Sequence, residues 1–331
     1  MGISSRAVYH DYPLIHEREG SMFDRILLPL DISEMPEIVV PYAEELAGKF
    51  ASEIILYYVR AKDHKELKNL TLDYLDRVAE TIKQHIRNKE KKEITITTKI
   101  AEGEPAQSIC ELVNKNKIDL IIMPSVNASG LKIRKMLGSV TDHVCHTVPI
   151  PILLIKPQHA QLTRKEKLFN NILIPLDGSE LSKLSLPVGE EVAVKLKIPI
   201  VLFEMALMGY PSANSSYMYG SDYVKINDRD EQVIESNYAQ ANEAEESRVR
   251  SELIALEKEL KEKGLSVDHR ITSGIDAAKE IAQTSKEVGA DLIVMSTHGR
   301  SGFDRWMMGS VAEKVLRYGE IPLLLVNARA T

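Results

Sequence analysis

The most concentrated chemistry in the chain lies in Met295-Ser-Thr-His-Gly-Arg-Ser-Gly-Phe-Asp-Arg-Trp-Met-Met-Gly-Ser-Val311. This stretch holds Gly299, Gly302 and Gly309, with His298, Arg300 and, opening a predicted helix, Ser310. Together they have the makings of an anion site. Glycines let the backbone approach an anion closely, and a helix N-terminus offers free N–H groups and a positive dipole end. The Ser310 hydroxyl can donate to a phosphate oxygen, His298 adds a second donor, and Arg300 adds a fixed charge. Upstream, Pro175-Leu176-Asp177 closes a predicted strand with a carboxylate. Each feature has a plainer use: Ser310 as an N-cap, the glycines as turn formers, Asp177 as a cap for the helix after it. Their convergence at the ends of two strands favours the phosphate reading.

Other chemistries find less support. His143, Cys145 and His146 fall on a short predicted helix, where the two histidines share a face, but no matching ligand set stands nearby. No Gly-x-Ser-x-Gly elbow, His-Glu-x-x-His pair or Walker lysine loop occurs. Cys110 and Cys145 are the only cysteines, too few for a disulfide scaffold or a four-thiolate zinc site, as expected of a reducing cytoplasm. With 42 basic against 48 acidic residues and 5% aromatics, neither a broad nucleic-acid footprint nor a stacking platform is expected. Apolar runs such as Val148–Ile155 are short and broken by proline, so no membrane span is expected. The first residues resemble a myristoylation signal, except that Arg6 stands where Ser or Thr is required. Residues 1–22 read as an N-terminal extension of a cytoplasmic protein.

At 331 residues, 44% of them hydrophobic, the chain has room for about two domains with a core in each. They are copies of one another. Phe23-Asp-Arg-Ile-Leu-Leu-Pro-Leu-Asp-Ile-Ser-Glu34 recurs as Phe169-Asn-Asn-Ile-Leu-Ile-Pro-Leu-Asp-Gly-Ser-Glu180, an offset of 146. Ile118-Asp-Leu-Ile-Ile-Met123 recurs as Ala290-Asp-Leu-Ile-Val-Met295 at an offset of 172, and Gly138-Ser-Val140 as Gly309-Ser-Val311 at 171. The second copy therefore carries about 26 extra residues, placed mostly around Gly209–Asp230. The expected division is 23–156 and 169–327, with 157–168 as linker and 328–331 as tail.

Apolar runs predict strands near 24–30, 53–60, 93–101, 118–124 and 150–156, then 170–176, 199–206, 266–272, 291–297 and 321–327. Helical stretches near 180–196, 231–263, 276–288 and 310–318 separate those of the second copy, with Gly264, Gly289 and Gly319 at C-cap positions. Such alternation predicts an α/β fold in each copy, a parallel five-stranded sheet with right-handed crossovers. Ligands of such sheets bind beyond the carboxyl ends of the strands, where strand order reverses.

The loop Ser296-Thr-His-Gly299, nine residues and Gly309-Ser310, with Ile-Leu-Ile-Pro-Leu-Asp177 upstream, resembles the universal stress protein domain. The ATP-binding branch of that family carries Gly-x-x-Gly-x9-Gly-Ser/Thr; here Ser296 replaces the first glycine, while Gly299, Gly309 and Ser310 match. The resemblance spans both copies and implies tandem Rossmann-like domains of strand order 3-2-1-4-5. It implies adenine and ribose near Asp177 and Met205, and phosphates on Gly299, Arg300, Gly302, Gly309, Ser310 and Val311. Pro175, Leu176, Met295, Ser296 and His298 complete the implied nucleotide-binding set. The first copy departs from the motif: Val126 and Asn127 replace His298 and Gly299, and one residue is inserted before Gly138. Asp31, Val59 and Gly138-Ser139 remain there, with Lys132, Arg134 and Lys135 as charges, and its expected role is that of a structural twin.

The resemblance thus implies a stress-response module that binds ATP, with or without Mg2+, or else AMP or ADP. At most it would hydrolyse ATP or phosphorylate itself slowly, since His298 is the one general-base candidate near the phosphates. The alternatives are a nucleotide-independent interaction module and a true nucleotide hydrolase, the latter disfavoured by the absence of a Ser-Gly-Gly-x-Asp-Ser loop. The apolar last strands, Ile150–Ile155 and Ile321–Val326, need a partner, so the copies should pair with each other or with a second chain in a homodimer. The Glu/Lys-rich stretch 243–263 reads as a solvated helix, and the tyrosines at Tyr210, Tyr217, Tyr219 and Tyr223 as a surface loop or a lid.

Overall fold

The computed structural model describes residues 21–31, 38–60, 68–125, 137–156, 167–209, 218–219, 222–223, 228–299 and 308–327. The first copy runs β1 (Arg25–Leu30), α1 (Val40–Phe50), β2 (Glu53–Arg60), α2 (Lys68–Glu90), β3 (Ile96–Glu102), α3 (Pro105–Asn116), β4 (Leu120–Pro124), α4 (Ser139–Thr147) and β5 (Ile152–Ile155). The second begins with β6 (Ile172–Leu176), α5 (Glu180–Lys183), α6 (Ser185–Leu196) and β7 (Ile200–Leu207). It continues through the two-residue strands β8 (Met218–Tyr219) and β9 (Asp222–Tyr223) to α7 (Asp228–Glu262) and β10 (Val267–Gly274). It ends with α8 (Ala277–Glu287), β11 (Leu292–Ser296), α9 (Ser310–Tyr318) and β12 (Leu323–Val326).

The strands stand in the order β3-β2-β1-β4-β5 and β10-β7-β6-β11-β12, the predicted 3-2-1-4-5 in each copy. Pairing is parallel within each copy. Residues of the inner strands are buried on both faces because helices cover both, while the edge strands β3 and β10 are mostly half-exposed. Alternate side chains enter two separate cores: Ile172 and Ile174 pack in one, Leu173 in the other.

The two sheets join into one of ten strands through an antiparallel pair, β5 with β12. Leu153 faces Leu324, its own equivalent at an offset of 171, and Leu154 and Ile152 face Leu323 and Leu325. The register is therefore self-complementary, like that of a two-fold dimer. Other contacts across the junction are reciprocal too. Glu45 accepts the Leu168 N–H at 3.1 Å, and its equivalent Glu191 accepts the Met22 N–H at 2.9 Å. Lys156 donates to the Leu316 carbonyl, and its equivalent Asn327 to that of Val148. Tyr42 meets Phe169 edge-on at 5.4 Å, and both are buried.

Two local expectations are corrected and a third is refined in its conformation. The predicted helix over 180–196 is interrupted at Leu184, because Pro187 has no N–H for the Lys183 carbonyl and its ring crowds that carbonyl. Gly264 and Gly289 take the left-handed conformation, while Gly319 is the C-cap of α9 as expected but in an extended conformation (φ −64°, ψ 151°). Gly319 is there for space: a Cβ would lie 2.4 Å from the Val315 carbonyl oxygen. The extra length of the second copy is not confined to the connection after β7, since α7 has 35 residues against 23 in α2.

In α7, Val249, Leu253 and Leu260 face the core. The predicted i,i+4 pairs on its solvent side are present, including Arg250–Glu246 and Lys263–Glu259. Tyr210 and Tyr217 lie outside the described residues. Tyr219 and Tyr223 fall in the β8–β9 pair.

Lys156 is 6% exposed, and burial lowers its pKa from 10.5 to about 8. Below pH 8 the amine is charged in both the folded and unfolded chain, and folding carries the cost of burying that charge. Between pH 8 and 10.5 only the unfolded chain stays protonated, so stability rises with pH; above 10.5 the cost is gone. Relative to Lys156→Met, the parent should therefore gain roughly 3 kcal/mol across this window. Urea unfolding of both proteins at pH 7.5, 9 and 10.5 measures it. A constant difference would show that the amine is not buried as a charge.

Candidate functional site

The second copy has a cleft of about 220 Å³ where strand order reverses, at the carboxyl ends of β6 and β11. Pro175, Leu176, Asp177, Met205, Met295, Ser296, His298, Gly299, Gly309, Ser310 and Val311 all line it. Arg300 and Gly302 lie outside the described residues. Ser182, Phe203, Leu207, Ala277, Ile281, Thr297 and Ala312 complete the lining. Two periodicities could have found some of these: Phe203 is two residues from Met205 on the same strand face, and Ala277 and Ile281 are one helical turn apart.

Asp177 is set by the turn after β6. Its Oδ1 accepts from the Ser179 N–H at 3.0 Å and the Ser179 hydroxyl at 2.6 Å, while Gly178 takes φ +77°. Ser179, rather than Asp177, is the N-cap of α5, its Oγ accepting the Ser182 N–H at 3.1 Å. The other carboxylate oxygen of Asp177 lies against Gly299, where a Cβ would be 2.1 Å from it. Gly299 is needed for this approach.

On the opposite wall, Thr297 is pinned by two backbone bonds. Its N–H donates to the Val326 carbonyl at 2.9 Å, and its carbonyl accepts the Gly309 N–H at 2.8 Å. The chain thus leaves β11 and returns to α9 at one point. Gly309, rather than Ser310, is the N-cap of α9, and no side chain caps this helix. Ser310, Val311 and Ala312 occupy its first turn, whose N–H groups have no intrahelical partner and which lines the cleft. A Cβ on Gly309 would come within 3.1 Å of the Thr297 carbonyl oxygen.

The remaining walls divide by polarity. Phe203, Met205, Met295 and Ile281 form a buried apolar side, with Leu207 half exposed. Ser182, Ser296, Thr297 and His298 supply polar groups. The Ser296 hydroxyl donates to the His298 carbonyl, and Thr297 Oγ1 stands 3.0 Å from His298 Nδ1. His298 Nε2 is buried with no hydrogen-bond partner among the described residues. Such an atom is costly to leave unmatched, and a polar ligand atom would satisfy it.

The first copy keeps the frame and changes its contents. Gly138 is the N-cap of α4, and its N–H bonds the Ser125 carbonyl at 3.1 Å, as Gly309 does with Thr297. Asp31 is exposed and Val59 is half-buried. Tyr57 replaces Phe203 and directs its hydroxyl to the Ser108 carbonyl, 3.4 Å away. Asn127, Lys132, Arg134 and Lys135 lie outside the described residues. On α4, His143 is exposed, His146 Nδ1 sits 2.7 Å from the Asp142 carbonyl, and burial pushes the Cys145 thiol up to about 12. Among the described residues, Glu257, Asp268 and His269 form the one group with metal-ligand proximity, on α7 and β10 and not in the cleft lining. Their charges are met by Lys261 and Arg270. No helix among the described residues is long and apolar enough to cross a membrane.

Fold and cleft together define an α/β protein of duplicated Rossmann-like domains. The model of the universal stress protein family matches residues 22–156 and again 168–327, and the chain belongs to that family as a tandem of two such domains. A universal stress protein of Methanocaldococcus jannaschii is 28% identical over 166 residues, 49% of this chain and 84% of that protein. One from Mycobacterium tuberculosis is 22% identical over 231 residues, 70% of this chain and 69% of that one. The crystal structure of a universal stress protein from Archaeoglobus fulgidus shares the fold, with a TM-score of 0.60 at 21% identity over 92% of this chain and 98% of that one. So does a functionally unknown protein from Pseudomonas aeruginosa, with a TM-score of 0.64 at 18% identity over 93% of each.

The contact between Gly299 and Asp177 makes a coupled prediction. Gly299→Ala should destabilise the protein by about 1 kcal/mol, because the carboxylate can turn aside only by giving up its bonds to Ser179. Adding Asp177→Ser should recover most of that loss in a double-mutant cycle by chemical denaturation. Additive effects would show that the carboxylate does not press on the glycine.

Proposed function

We propose that the second copy binds an adenine nucleotide, ATP first among them, and that the protein acts as a ligand-responsive stress-response module rather than a fast enzyme. One observation carries this reading. The uncapped first turn of α9, an unmatched buried His298 nitrogen and an apolar wall of Phe203, Met205 and Ile281 share one cleft. Free N–H groups and a helix dipole suit phosphates, and an apolar slot suits a flat heterocycle. Asp177, the only carboxylate among the described lining residues, suits ribose hydroxyls or a phosphate-bound Mg2+. AMP or ADP would meet the same base and ribose groups with fewer phosphate contacts.

Among the described residues, His298 is the one general-base candidate on the wall that would face the phosphates, so hydrolysis or self-phosphorylation should be slow. In the same reading, each copy serves as the other's partner at β5 and β12, which the self-complementary register supports.

Isothermal titration of the purified chain with ATP, ADP and AMP tests the proposal. One nucleotide should bind per chain. Gly309→Val should abolish binding, because its side chain has no room beside the Thr297 carbonyl. Ser310→Ala should weaken ATP by about tenfold, the worth of a hydrogen bond to a charged group. Unaltered affinity in both variants would reject the site, and no binding by the parent would favour an interaction module instead.

A further inference from the structure

The reciprocal contacts of Lys156 and Asn327 end on the two helices that begin at the glycine-serine motifs. Asn327 reaches the carbonyl of Val148, the C-cap of α4; Lys156 reaches that of Leu316, in the last turn of α9. Each copy therefore holds the far end of the helix whose near end lies at the other copy's motif. At about 1.5 Å per residue, α9 is a rod of about 13 Å, short and stiff enough to move as a unit. Its near end is tied to β11 by the Gly309–Thr297 bond and its far end to the first copy by Lys156.

The two anchors differ in kind. Asn327 offers a neutral amide to α4, whereas Lys156 offers an ammonium to α9. A cation at a helix C-terminus complements the negative end of the dipole, and burial removes the water that would screen it. Lys156 is 6% exposed and Asn327 4%. The charged anchor thus belongs to the helix whose first turn lines the cleft. Glu313 and Arg317 on α9 pair with each other at 2.7 Å, and Glu320 pairs with Lys286 at 3.0 Å.

From this we infer that Lys156 is a positioning residue through which the first copy sets ligand affinity in the second. The first copy, whatever its own loop binds, then has a regulatory part in the cleft of its twin: a change at the β5–β12 junction shifts α9 along its axis. This inference rests on the nucleotide reading in one of its two readouts only.

The test compares the full-length parent, Lys156→Met and Asn327→Ala at pH 7. Without ligand, the amide proton and nitrogen shifts of Ser310, Val311 and Ala312 report the first turn of α9 directly. With ATP, titration calorimetry reports affinity. Lys156→Met should move those amides and weaken ATP about three- to fivefold, the effect of a charge at a helix end. Asn327→Ala, which loosens the mirror contact, should leave the amides in place and the affinity within twofold. Unmoved amides in Lys156→Met would overturn the inference, as would moved amides with unchanged affinity, or an equal loss in Asn327→Ala. Should the parent bind no ATP, the nucleotide reading fails by itself, and the amide shifts alone decide whether Lys156 positions α9.

Discussion

The antiparallel pair of β5 and β12 is the interaction on which the architecture depends. An open parallel sheet of order 3-2-1-4-5 leaves its last strand at an edge, and here that strand is apolar throughout. Left alone, such an edge exposes unpaired backbone groups and hydrophobic side chains to any other strand. Placing two copies in one chain turns the exposed edge into the centre of a ten-stranded sheet. Because Leu153 lies opposite its own equivalent, Leu324, every other contact at the junction can occur twice. That is why Glu45 and Glu191 bind each other's opening backbone, and why Lys156 and Asn327 cross in opposite directions.

Duplication also allows the copies to diverge where the junction places no demand. Glu204 of β7 is buried at a position filled by Tyr58 in the first copy, and it is matched by Arg248 of α7 at 3.1 Å. Arg248 also pairs with Glu245 and Glu252, which hold the guanidinium charged. A buried ion pair of this kind contributes more to fixing α7 against β7 than to net stability. Nearby, the Asn242 amide bonds both the N–H and the carbonyl of Gly209, at 2.9 and 3.0 Å. The longer α7 thus secures the chain where it leaves β7, close to the half-exposed Leu207 at the cleft.

Much of this was legible in the residues. Runs of apolar residues located the strands to within a few positions, because strands covered on both faces leave little room for polar side chains. The repeat revealed both copies, and the glycine-serine motifs located the cleft. Tertiary contacts account for what was missed. Gly319 caps α9 as its position suggests, but in an extended conformation set by the nearby Val315 carbonyl, and Ser310 reads as an N-cap although Gly309 fills that place. Phe203 and Ile281 are not singled out by type alone, since a residue lining an apolar wall has the same pattern as one packed behind it. Nothing in the composition distinguishes Lys156 from a surface lysine; only the path of β5 past α9 buries it.

The polarity of the cleft constrains how the proposed ligand would lie. Ser179 holds one oxygen of Asp177 and directs the other at Gly299, so a negative charge stands at the β6 end. The first turn of α9 places a partial positive charge at the other wall. A phosphate beside Asp177 would face repulsion in a partly dry site, where charges interact more strongly than in water. The same phosphate beside Ser310 would face N–H donors. An adenine nucleotide therefore has one favourable direction: phosphates toward α9, hydroxyls toward Asp177, and base against Met205 and Phe203. The opposite orientation would set charge against the apolar wall of Phe203, Met205 and Ile281. Selectivity on this reading comes from where the one carboxylate of the described lining stands, held by Ser179 and given room by Gly299.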